Sequence, residues 1–199
     1  MLDVDEVRKV IADLKRKPRR HANWFEWLDK QGKELGIAQE FVVALERVAG
    51  PVAEHVKLGD DPPDIAISLQ NGGQISLEIT ELVNQEAIEA QLSGSADYSR
   101  QIFDWDDQKI VSRITKRVRE KEMKCRAMAS GDSKLALLLH TDEPILSEKD
   151  VQEAIQKLGP IESDVFNEIW LIFSYDPKTS SFPLIRLDKQ IRRDDKSDT

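Results

Sequence analysis

The chain has 199 residues, 33% charged and 40% hydrophobic, which suffices for one domain with a sizeable core, and its net charge of -8 argues against phosphate binding by the sum alone. The lone Cys125 excludes an internal disulfide, and His21, His55 and His140 lack the spacing of a zinc site. No apolar run approaches bilayer-spanning length and the opening MLDVDEVRKV has no signal-segment pattern, so a cytoplasmic location with no membrane partner is expected.

Val4, Val7, Val10, Ile11 and Leu14 fall at helical spacing and predict an amphipathic helix over residues 3–16. A dense basic group follows, Lys15, Arg16, Lys17, Arg19 and Arg20 around Pro18, which reads first as a solvated helix end. A second helical region begins at Trp24, Phe25, Trp27 and Leu28. It breaks at Leu35-Gly36, resumes with Phe41, Val42, Leu45 and Val48 on one side, and stops at Gly50-Pro51. Residues 53–58 have the length of a short strand. Residues 60–81, DDPPDIAISLQNGGQISLEITE, read as a hairpin, with Ile65, Ile67 and Leu69 on one face of the first strand and Ile75, Leu77 and Ile79 on the matching face of the second. The polar stretch after it, to about residue 99, fits a helix end, a loop or a flap.

A long helix is expected from about residue 106 to 128, with Ile110, Val111, Ile114 and Val118 inward, Cys125 a further inward candidate, and a second basic group mostly outward: Lys109, Arg113, Lys116, Arg117, Arg119, Lys121, Lys124 and Arg126. KLALLLH has the unbroken apolar character of a strand buried on both faces. Ser147-x-x-Asp150 reads as a capping box opening a helix through Leu158, and Gly159-Pro160 as its stop. EIWLIFSY and FPLIRL are two further strands, and the tail from about Arg192 reads as disordered. The sum is a single α/β domain over residues 1–191, built on one mixed sheet flanked by helices, followed by the tail 192–199.

The hairpin gathers acids. Asp64, Ala66 and Ser68 share the polar face with Ser76, Glu78 and Thr80. A three-residue loop of Asn71, Gly72 and Gly73 pairs Gln70 with Gln74, sets Asp64 opposite Thr80, and makes Glu78 the diagonal neighbour of Asp64. Two carboxylates at that separation can share one hard divalent cation, which relieves their repulsion. Gly72-Gly73 has no phosphate-binding helix after it and is read as a turn. Cys125 has no histidine near it in sequence to act as a base and is not read as a nucleophile. The four tryptophans read as core or interface anchors.

Pro63-Asp64 at a strand start, a short hairpin and Glu78-Ile79-Thr80 on the next strand, with helices before and after, resemble the PD-(D/E)XK nuclease superfamily, the restriction-endonuclease-like fold. The resemblance implies an αβββαβ core over residues 38–141, an added N-terminal helical part (1–37), and a C-terminal helix and strands (142–191). It implies magnesium, or manganese, bound by Asp64 and Glu78 with a glutamate from the preceding helix, Glu40 or the preferred Glu46. The family's lysine, two residues after the glutamate, positions or activates a water; here that residue is Thr80. Its role then falls to the basic helix, where Lys116 and Lys121 are the candidates, Lys116 preferred for its mid-helix place. Arg113, Lys116, Arg117, Lys121 and Lys124 are the expected nucleic-acid contacts. The expected activity is metal-dependent hydrolysis of DNA phosphodiesters, and a homodimer is compatible with it. The alternative is a non-catalytic module that keeps this fold to hold nucleic acid or a protein.

Overall fold

The computed structural model describes residues 29–94, 103–128 and 134–189. The predicted helix over 3–16, the basic group around Pro18, the start of the second helical region, Gly131-Asp132 and the tail lie outside them. Within them the order is α1 (Lys30–Ala49), β1 (Ala53–Leu58), β2 (Ile65–Leu69), β3 (Gln74–Glu81), α2 (Gln85–Leu92), α3 (Asp107–Cys125) with a 3-10 turn at Arg126–Met128, β4 (Lys134–Thr141), α4 (Glu148–Leu158), β5 (Glu168–Phe173) and β6 (Leu184–Arg186). The strands form one six-stranded mixed sheet in sequential order. The pairs β1–β2, β2–β3 and β5–β6 are antiparallel, while β3–β4 and β4–β5 are parallel. Each parallel connection carries a helix, α3 then α4, as a crossover requires.

Helices cover both faces. On one, Ile37, Ala38 and Phe41 of α1 pack over Ile65, Ile67, Leu77, Ile79 and Leu138. On the other, Ile110, Ile114 and Val118 of α3, with Val151 and Ile155 of α4, pack over Leu135, Leu137, Leu139, Ile169 and Leu171. β4 is therefore buried on both sides, which explains why KLALLLH carries no alternation. The capping box at α4 is present in full: Ser147 accepts from the Asp150 N–H, and the Asp150 carboxylate accepts from the Ser147 N–H.

Two expectations are corrected. The break at Leu35-Gly36 does not occur, because Gly36 lies buried inside the continuous helix α1. Interior glycine costs about 1 kcal/mol relative to alanine, which the packing of Ile37, Ala38 and Phe41 outweighs. The hairpin is also shifted by two residues from the expected register. Ser68 pairs with Gln74 and Ile65 with Leu77. Leu69 N–H donates to Gly73 O and Gly72 N–H to Leu69 O, so the loop is Gln70, Asn71 and Gly72. Its left-handed closing residue is Gly72, at φ 81°. A three-residue hairpin loop needs that conformation at its last position, and the first of the two glycines supplies it. A two-residue shift keeps every side chain on its face. It does, however, bring Asp64, one residue beyond the ladder, level with Glu78 instead of Thr80.

Candidate active site

Asp64 is anchored before any ligand is considered. Its backbone carbonyl accepts from Gly59 N–H at 2.9 Å and its Oδ2 accepts from Ile79 N–H at 2.8 Å, the residue after Glu78. A Cβ at Gly59 would stand 2.1 Å from Pro63 O, so only glycine lets the chain fold back tightly enough to deliver Asp64 there. Asp64 and Glu78 are both buried, at 5% and 3% exposure. Two such carboxylates need a counter-charge.

Lys121 provides one. Its Nζ lies 2.6 Å from Glu78 Oε1 and 3.8 Å from Asp64 Oδ2. Helical geometry puts it there: Lys121 is seven residues after the buried Ile114 and four before the buried Cys125, so its stem runs along the inward face of α3. Cys125 lies beneath the acids, and burial, followed by the charge of Glu78, pushes its thiol up to about 11. It is a protonated thiol at neutral pH. The second oxygen of Glu78, Oε2, is buried and has no hydrogen-bond partner among the described residues.

Above these groups opens a hollow of ≈ 400 Å³ at the C-terminal end of β3. The α1 side contributes Lys30, Lys33 and Glu34, β3 contributes Thr80 and Glu81, β4 His140, and α3 Arg117, Lys121 and Lys124. Lys30 Nζ lies 3.3 Å from Glu34 Oε1 and 3.7 Å from Asp64 Oδ1. Burial, then the negative charge of Asp64, raises the carboxyl of Glu34 above the usual range. Lys33 pairs with Glu81, and His140 Nε2 stands 3.9 Å from the same carboxylate.

The structure brings together Asp64, Glu78 and, at the rim, Thr80, with Arg117, Lys121 and Lys124 around them. It does not bring Lys116 or Glu46. Lys116 is 200° from Ile114 on the helix wheel and lines two other hollows. Glu46 Oε1 accepts from the N–H groups of Val52 and Ala53, holding the turn from α1 into β1. The α1 glutamate at the acids is Glu34. It lies three residues before the buried Ile37 and seven before Phe41, a helical repeat that was available in the sequence. Arg113 lies farther along α3, against Asp104 and the Trp105 ring.

Among the described residues, no three His, Cys, Asp or Glu side chains form a metal-holding group. Magnesium needs fewer, since it keeps water and phosphate oxygens and takes one or two carboxylates. Asp64 and Glu78, whose buried Oε2 has no hydrogen-bond partner among the described residues, fit that demand. No helix among the described residues is long and apolar enough to cross a membrane. Comparison with protein-family models, curated proteins and solved structures returned no match.

Proposed function

We propose that this chain is a magnesium-dependent nuclease with a PD-(D/E)XK-like core, in which Lys121 of α3 supplies the ammonium that Thr80 cannot. The carrying observation is the approach of Lys121 Nζ to both Glu78 and Asp64 from the helix that covers this face of the sheet. In this reading Asp64 and Glu78 hold the metal and Glu34 completes the acid cluster. The bound ion would polarise the phosphate and lower the cost of forming hydroxide. The protein's own groups do the rest. Ile79 N–H fixes the Asp64 carboxylate, Lys121 orients a water and balances growing negative charge, and Thr80 offers it a hydrogen bond from the same strand face. Arg117 and Lys124 hold the flanking phosphate oxygens. DNA is the proposed substrate. Supercoiled plasmid and labelled oligonucleotides with Mg²⁺ or Mn²⁺ test this: Asp64→Ala and Lys121→Ala are expected to lower cleavage at least 100-fold. Equal rates for wild type and both variants on every substrate sink the reading.

One observation favours a second reading, a non-catalytic binding module. Lys121 against Glu78 and Lys30 against Asp64 together already balance the two acids, with no metal needed for charge. In that case Mg²⁺ leaves the melting temperature unchanged while DNA binding persists.

A further inference from the structure

Next to the acid hollow lies a second one, of ≈ 390 Å³, between the segment Leu82–Glu86 and the first half of α3. The two share a wall, because Arg117 lines both. α3 gives the second hollow Lys109, Arg113, Lys116 and Arg117, against the acids Glu86 and Asp104. Those acids are spent locally: Asp104 pairs with Lys109, and Arg113 Nη2 lies 3.6 Å from Glu86 and 3.7 Å from Asp104. Lys116 has no ion pair among the described residues, and it is exposed. Arg117 is held by Glu120 on one nitrogen, Nη1, at 2.9 Å. The hollow thus keeps an uncompensated positive charge, at Lys116, beside the Arg117 edge it shares with the first hollow.

We propose that this second hollow is a phosphate subsite for a nucleic-acid strand, holding a backbone phosphate beyond the one at Asp64 and Glu78, with Lys116 and Arg117 as its cations. The proposal rests on the nuclease reading for the identity of the strand. Lys116 and Lys121 are five residues apart, about 8 Å along the helix axis at 1.5 Å each. They also stand about 140° apart around the helix, so their ammonium groups are separated by at least two to three nucleotides of duplex rise at about 3.4 Å per nucleotide. The subsite therefore fixes strand register and sets a minimum length, and it reads no base.

Fluorescence polarisation tests it, using wild type and variants with 5′-fluorescein oligothymidylates of two and eight nucleotides, with Ca²⁺ present. Lys116→Ala is expected to weaken binding of the eight-mer about five-fold and to reduce its salt slope by about 0.7, the value of one single-strand phosphate contact. It is expected to change two-mer binding less than two-fold. Lys149→Ala, a charge control on the exposed face of α4, should follow wild type. The proposal is overturned if Lys116→Ala tracks the Lys149→Ala control on the eight-mer, or weakens both lengths equally. If wild type binds neither oligonucleotide, the subsite and the nuclease reading fall together. Binding that responds to Lys116→Ala, with no cleavage of any substrate, upholds the subsite and rejects catalysis alone.

Discussion

Removing the Lys121 ammonium would leave the Glu78 carboxylate, at 4% side-chain exposure, without its counter-charge, and Asp64, at 2%, with only the exposed Lys30 ammonium at 3.7 Å. Breaking a buried ion pair in this way costs about 3 kcal/mol, because the partner charge stays behind. Lys121→Met is therefore expected to melt well below wild type in EDTA. Added Mg²⁺ should restore more stability to the variant than it adds to wild type, as differential scanning fluorimetry would read directly. Cys125 gives a second check at this scale. A buried thiol held up to about 11 is not a thiolate at neutral pH, so native protein should resist iodoacetamide, and denaturant should release one reactive equivalent. Rapid labelling of the native protein would contradict that burial. Lys121 was within reach of sequence reading. A lysine seven residues from one buried position and four from another belongs to the inward face, whereas mid-helix placement, which favoured Lys116, says nothing about direction. Glu34 follows the same logic from Ile37 and Phe41.

The turn between β1 and β2 sets Asp64 through contacts that a side chain at Gly59 would destroy. Gly59→Ala is expected to cost about 2–3 kcal/mol in urea denaturation and to weaken metal binding in parallel, since the chain must open where it delivers the carboxylate. At the other end of the sheet, Arg186 ties β6 to β5. It forks onto Asp188 and lies 3.0 Å from Glu168, which also pairs with Lys134. Burial alone would raise both carboxyls. The bonds from Arg186 to Asp188, and from Lys134, Trp170 and Arg186 to Glu168, outweigh it and hold both below their usual range. Groups depressed in the folded state stabilise it above the ordinary carboxylate range, and that contribution is lost as pH falls through their folded values. Arg186→Gln should thus lower the melting temperature at pH 7, and the gap to wild type should close below about pH 4. Strand existence and face were legible here, because alternation and unbroken apolar runs are local signals. The hairpin register was not. A slip of two residues preserves every face, and only the left-handed backbone at Gly72, not Gly73, decides between the two pairings.

For the whole molecule, a net charge of -8 coexists with a basic stripe along one helix, Arg113, Arg117, Lys121 and Lys124, at four-, four- and three-residue steps. DNA should therefore bind on one face only and weakly at high salt. With Arg117 and Lys124 of the stripe and Lys116 at its border each meeting a phosphate, log K against log salt should fall with a slope of about -3 on duplex. A flat salt response would place any binding elsewhere. Magnesium at a hundred times its dissociation constant should add about 2.7 kcal/mol to wild-type stability, a rise of some 5 °C or more in melting temperature for a chain of this size. The single mixed sheet was legible because its central strands announce themselves by composition; what their sequence could not convey was which helix end would close over the acids. α3 answers that with one surface for the core, one lysine for the acids and one row of cations for solvent, all on the same rigid cylinder. Each residue turns the cylinder by 100°, so one residue inserted between Val118 and Lys121 would swing the lysine off the carboxylates and Arg117 out of alignment with it. Burial of Ile110, Ile114 and Val118 thereby sets the phase of Lys121 against the carboxylates, and α3 can change its charges far more freely than its length.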